Sequence, residues 1–202
     1  MVPLPDFEGV TILCVLPHIS AVRDAMSRYQ NNKQVEGLLF NYRHFYGSYD
    51  FIGDSRRWYR KEIRIVRNDR RIRSYKDAQG FRIDGRKLNV KPVDAWVHHY
   101  GWVKPPKAMQ AKQESFHKLW HSDEWVTKNV AATEEFDYSQ IDSLARFKGT
   151  HPNVIRERIA KQNWEFSFDP TRKKLTAKTK FLHFVEQLTG WRIGEYRNYK
   201  VV

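Results

Sequence analysis

"GDSRRWYRKEIRIVRNDRRIRSYKDAQGFR", residues 53–82, is the stretch on which the fold turns. Arginine crowds it, yet Ile63 and Ile65 alternate with charged neighbours through residues 62–67. That alternation predicts a half-buried strand with arginines on its other face. Residues 54–91 hold fourteen Lys/Arg and five Asp/Glu, a local net charge of +9. Trp58, Tyr59, Tyr75 and Phe81 lie among those charges. Guanidinium forks bind phosphate in bidentate fashion, and aromatic rings stack on bases or sugars. The stretch therefore suits nucleic acid, a nucleotide-sugar or a phosphorylated acceptor; a solvated strand face is the plain structural alternative.

On either side, helical and strand periodicities alternate. "VTILCVL", residues 10–16, is the longest apolar run and predicts a buried strand. It is too short to span a bilayer, and Asp6 and Glu8 stand where a signal peptide carries basic residues. Ile19, Val22, Met26 and Tyr29 keep helical spacing. Residues 35–42, "VEGLLFNY", predict a strand that pairs with the one at residues 8–16, with the helix as crossover. "YGSYDFIGD" predicts a loop, "IDGRK" a tight turn, and residues 88–97 a strand broken at Pro92. A helix starts near Lys107, marked by Met109, Phe116 and Trp120; "TEEFDYSQID" predicts a surface loop. A short helix carries Val154, Ile155 and Ile159. The last carries Phe181, Leu182, Val185 and Leu188 and closes at Gly190.

The 202 residues are 41% hydrophobic and 14% aromatic, enough for a packed core. A formal charge of +13 and a pI near 9.8 attract polyanions. Cys14 is the single cysteine, which excludes an intrachain disulfide and a cysteine zinc site and points to a reducing compartment. GxGxxG, Walker and GxSxG signatures are absent.

Three groups carry candidate chemistry. "WVHHYGW", residues 96–102, places His98 and His99 at the end of a strand, where imidazole can ligate a divalent metal. Adjacent strand residues point to opposite faces, so one of the two serves a site. In "HKLWH", His117 and His121 have the zincin spacing, but Lys118 stands where the glutamate belongs, which favours a solvated or packing role. Asp50, Asp54 and Asp77 are the carboxylates available for acid–base work.

"EGLLFNYRHFYGSYDFIGDSRRWYRKEIRIVRND", "IRSYKDAQGFR", "WVHHYGWVKPP", "FHKLWH" and "TGWRIGEYRNYK", in this order over residues 20–202, resemble bacterial family 2 glycosyltransferase-like proteins of GT-A type. The resemblance implies an α/β fold: a partial GT-A-like mixed sheet flanked by helices over residues 1–125, and a helical C-terminal extension over residues 126–202. It also implies that most of the N-terminal nucleotide-binding half is lacking. Only 18 residues precede Ile19, and "TILCVLPHIS" holds no carboxylate where a DxD-like metal motif belongs.

The activity implied is inverting transfer of a sugar from a nucleotide-sugar to a glycan or lipid-linked acceptor in cell-surface polysaccharide assembly, with Mn or Mg as cofactor. By resemblance, Asp77 is the general base, with Asp54 second. Arg56, Arg57 and Arg60 hold diphosphate or an anionic acceptor, Trp58 and Trp102 stack on sugar, and His99 ligates the metal. The implied location is cytoplasmic, peripheral on the anionic inner membrane face. The alternatives are a non-catalytic sugar- or partner-binding remnant and a basic nucleic-acid-binding protein.

Overall fold

The computed structural model describes residues 12–14, 18–75, 80–118 and 133–202, with Ser122, Glu124, Trp125 and Lys128 between the last two stretches. Among the described residues it is a mixed α/β structure with four α-helices of five residues or more and a mixed sheet. Two compact units make it up. One takes residues 44–55 and 99–174, the other residues 18–43, 56–98 and 175–202. Each draws on both sides of residue 125. Strands β2 (Gly37–Tyr46) and β7 (Arg86–Trp102) each begin in the second unit and end in the first.

In the second unit β2 is buried on both faces. Leu38, Phe40 and Tyr42 join Val93, Ala95 and Val97 beneath helix α1 (Ile19–Tyr29), whose Ala21, Val22, Ala25 and Tyr29 pack on them. Leu39 points the other way, into a cluster with Ile63, Ile83, Leu88 and Val90. Strand β4 (Lys61–Val66) pairs antiparallel with β2, and the register slips between Leu38 and Leu39. That irregularity places one extra residue, Arg64, on β4. Gly37 sits against β4 so closely that a Cβ there would lie 2.8 Å from the Ile65 carbonyl oxygen.

Strands β5 (Ile72–Ser74) and β6 (Phe81–Ile83) continue the sheet beyond β7. β6 turns into β7 through Asp84-Gly85, both with positive φ (48° and 80°), the two-residue hairpin that the Asp-Gly pair predicts. Pro92 does not break β7. It is exposed and lies just past Val90↔Val201, the last pair with the parallel strand β9 (Tyr199–Val201), so no pair with β9 is lost. Helix α4 (Ala177–Thr189) starts on the Thr176 side chain and ends at left-handed Gly190, as its spacing predicts.

The N-terminal strand is seen as β1 (Ile12–Cys14); the rest of the predicted run lies outside the described residues. It pairs with β7, not with β2 as expected. Both edges of β2 are already occupied, by β7 on one side and by β4 and β3 on the other.

In the first unit, "YGSYDFIGD" is not all loop. Its Phe51–Gly53 forms β3, which pairs with β2 and with β8 (Leu144–Arg146). Helix α2 (Pro106–Lys118) begins at proline, where a missing N–H costs nothing. "TEEFDYSQID" contributes to the interior: Tyr138 and Ile141 are buried, and Tyr138 donates to the Lys104 carbonyl at 2.9 Å. Helix α3 (Arg156–Ala160) follows a short 3-10 turn. The residues after 133 thus add strands β8, paired with the equally short β3, and β9, paired with the long β7, to the expected helices.

Gly37→Ala is expected to lower the unfolding free energy by about 2 kcal/mol through overpacking against backbone. Gly85→Ala, in open space, should cost roughly 1 kcal/mol from its positive φ alone. Urea titration of the two variants checks the order.

Candidate functional site

The end of β7 separates its two histidines. His98 is fully buried in the second unit, and its Nε2 accepts from Arg43 Nη1 at 3.2 Å. An acceptor nitrogen is unprotonated, so this imidazole is neutral with its proton on Nδ1. Arg43 also stacks on Trp96, 4.0 Å from the ring centre. His98 is thereby a packing residue.

His99 belongs to the first unit and is half-buried. Its Nδ1 lies 3.2 Å from Nδ1 of buried His44, with the rings nearly perpendicular. As a hydrogen bond, this contact needs one Nδ1 protonated and the other bare, so double protonation of the pair breaks it. The far edge of the His99 ring covers Gly101: a Cβ on Gly101 would come within 2.6 Å of His99 Nε2.

From the other direction Lys112, on α2, donates to the Gly101 carbonyl at 2.6 Å. Its ammonium lies 5.9 Å from the centre of the Trp102 ring. Burial, with Lys104 as a nearby like charge, pulls the Lys112 amine down to about 8. Trp102 is half-buried beside Tyr46 and Phe136. One glycine thus carries an imidazole, an amine of depressed pKa and an indole around it. His99 and Trp102 were legible as site residues. His44 and Lys112 were not, although Lys112 stands three residues after buried Met109, on the helix face that turns inward.

A divalent ion at His99 requires further protein ligands. His44 offers a second imidazole, but among the described residues no three His, Cys, Asp or Glu side chains converge. Among the described residues His44 is thus the one further donor beside His99. Of the zincin-like pair, His117 packs near Trp125, and His121 lies outside the described residues.

Asp77 also lies outside the described residues. Asp54 follows β3 in the first unit. Its Oδ2 accepts from Lys173 at 2.8 Å, while its buried Oδ1 has no hydrogen-bond partner among the described residues. Beside it Ser55 donates to Asp142 Oδ1 at 3.0 Å.

The arginines of the opening stretch belong to the second unit, where most meet partners within the chain. Arg56 and Arg60 both reach Glu186 of α4, at 2.7 and 2.8 Å. Arg192, only 5% exposed, joins the same carboxylate at 3.5 Å and donates to the Trp58 carbonyl at 2.9 Å. Glu195 completes the cluster through Arg60, Arg192 and Arg197. Four guanidiniums share two carboxylates. Arg64 binds Glu62 and Tyr42, Arg67 four backbone carbonyls, Arg71 Asp69, and Arg86 Glu36. Arg57 remains exposed, 5.7 Å from the centre of the half-buried Trp58 ring. Several arginines of the basic stripe thus clamp the chain to itself, while Arg60, Arg71 and Arg86 stay exposed as they do so.

No family model, no curated protein and no solved structure matches the chain. Among the described residues no helix is long and apolar enough to cross a membrane.

Lys112 makes the site visible to titration. Its folded pKa, about 8, lies below that of an unfolded lysine near 10.4. Between these values the unfolded chain binds more protons, so stability contributed at this position rises with pH. The native chain should therefore gain on Lys112→Met as pH rises from about 8 toward 10.5. Urea unfolding of both at several pH values measures the gap.

Proposed function

We propose that the chain is glycosyltransferase-like and serves transfer of a sugar from a nucleotide-sugar to a glycan or lipid-linked acceptor. The grouping of His99, Lys112 and Trp102 around Gly101 supports this reading beyond the sequence resemblance. As the bond from the anomeric carbon to the diphosphate oxygen breaks, negative charge gathers on the leaving group. The Lys112 ammonium, already desolvated, is the cation suited to meet it, and His99 adds a donor. Trp102 offers an apolar ring edge for a sugar. Arg56 and Arg60, expected in the diphosphate role, are engaged by Glu186, so leaving-group charge falls to Lys112 instead.

The acceptor hydroxyl attacks the anomeric carbon from the opposite side and loses its proton to a carboxylate. By resemblance that base is Asp77, with Asp54 second. Asp54 is the weaker candidate, since Lys173 holds one of its oxygens and the other is buried. Glu186 and Glu195 offset part of the positive charge around Arg56, Arg60 and Arg192, which weakens the nucleic-acid alternative.

The test is release of nucleoside diphosphate from a panel of UDP- and GDP-sugars in the presence of Mn²⁺, followed by chromatography. Slow release is expected, lowered about 100-fold by Lys112→Ala. Asp77→Asn should lower transfer roughly 10²–10⁴-fold while leaving donor binding intact in calorimetry. Absence of both release and binding across the panel, with tight, salt-sensitive binding of polyribonucleotide, overturns the proposal.

A further inference from the structure

Helix α4 buries one side and leaves a second apolar strip in solvent. Glu186 is held from below by Arg56, Arg60 and Arg192, which fixes the rotation of the helix. With that rotation Leu182 and Val185 are half-buried, while Phe181, Phe184 and Leu188 are 64%, 61% and 75% exposed. These three follow i, i+3, i+7 spacing and so share one face. Trp191, 61% exposed, follows directly after the Gly190 cap. Soluble surfaces rarely carry two phenylalanines, a leucine and a tryptophan in one strip.

The charges of the same segment are sorted. From residue 175 to 202 both carboxylates, Glu186 and Glu195, are turned inward at 11% and 15% exposure and are paired with arginines. The exposed charged side chains, Lys178, Lys180, Arg197 and Lys200, are all positive. A helix with Phe, Leu and Trp on one face and lysines alongside is the pattern that lies in a bilayer interface, apolar face down, with its cations at the headgroups. Tryptophan favours that same depth. A second copy of the chain is a poor occupant, because self-docking brings the cationic rim against itself.

We propose that the exposed face of α4, with Trp191, is a docking surface for an anionic lipid bilayer. The inference goes beyond the transfer reading and does not depend on it. It concerns a surface in the second unit that needs no donor, acceptor or base.

Flotation of the full chain with vesicles tests it. Vesicles of phosphatidylcholine with phosphatidylglycerol should carry the protein, and phosphatidylcholine alone should carry little. The variant Phe181→Ser/Phe184→Ser/Leu188→Ser, altered only at exposed positions and checked by circular dichroism, should lose at least about tenfold in vesicle partitioning. Lys178→Glu/Lys180→Glu should lose about fivefold or more per lysine, most strongly at low salt. The proposal is overturned if the native chain ignores anionic vesicles, or if the serine variant binds them as well as the native chain does. It is overturned equally if the serine substitutions convert a dimer to a monomer in sedimentation without any vesicle binding, which makes the strip a self-interface. Retained binding of soluble polyglutamate with no vesicle binding points to an acidic protein partner instead, and also overturns it.

Discussion

Strand β2 has no solvent face, and most of the second unit is arranged to cover it. One side needs a helix, which α1 supplies with small residues Ala21 and Ala25 that allow close approach to the sheet. The other needs the isoleucines of β4 and β6 and the apolar residues of β7. Successive leucines are both buried because Leu38 and Leu39 point to opposite faces and each face is covered. Removing Gly37 from this arrangement presses a side chain into the β4 backbone, so the position where α1 gives way to the sheet is sterically defined.

The charge distribution follows from that burial. Glu36 and the end of α1 leave a carboxylate and several carbonyls near the start of β2, and arginines neutralise them. Arg86 hydrogen-bonds Glu36 and holds its carboxyl below the usual range. Arg67 donates to the carbonyls of Tyr29, Gln30, Asn32 and Val35, closing the C-terminal turn of α1 where a cation is electrostatically favoured. A chain this basic therefore need not present all its cations to a polyanion. Part of the positive charge is offset by carboxylates of the same chain, at Glu36, Glu186 and Glu195.

Long periodic elements were legible in the sequence. Ile19, Val22, Met26 and Tyr29 mark α1 to the residue, although Ile19 and Met26 end up more exposed than Ala21 and Ala25, which carry no pattern signal. Asp84-Gly85 and Gly190 mark their turns because positive φ leaves few alternatives. Short pairing strands were not legible: β3 lies among Gly47, Ser48 and Asp50, whose turn preferences mask it, β8 pairs with that equally short strand, and β9 takes the edge of the long β7. The site was half legible. His99 stands out in "WVHHYGW", but Lys112 reads as an ordinary surface residue until α2 is seen to turn it toward Gly101. Partners distant in sequence decided the fate of the arginines, since Glu186 is 130 residues from Arg56.

The two strands that run through both units carry a consequence for cooperativity. Hydrogen exchange divides proteins into segments that open independently, and such segments normally end where the chain leaves a sheet. Here β2 and β7 pass from one unit to the other without a break in their extended backbone. Peeling β2 away from β4 strips Leu39 and Phe40 of their neighbours, and the same strand then presents Phe45 and Tyr46 to the aromatic packing of the other unit a few residues later. Within each unit, the amides of its own part of β2 and β7 are therefore expected to be among the slowest to exchange. The imidazole pair of His44 and His99, placed on the first-unit ends of these two strands, is held where that unit opens last.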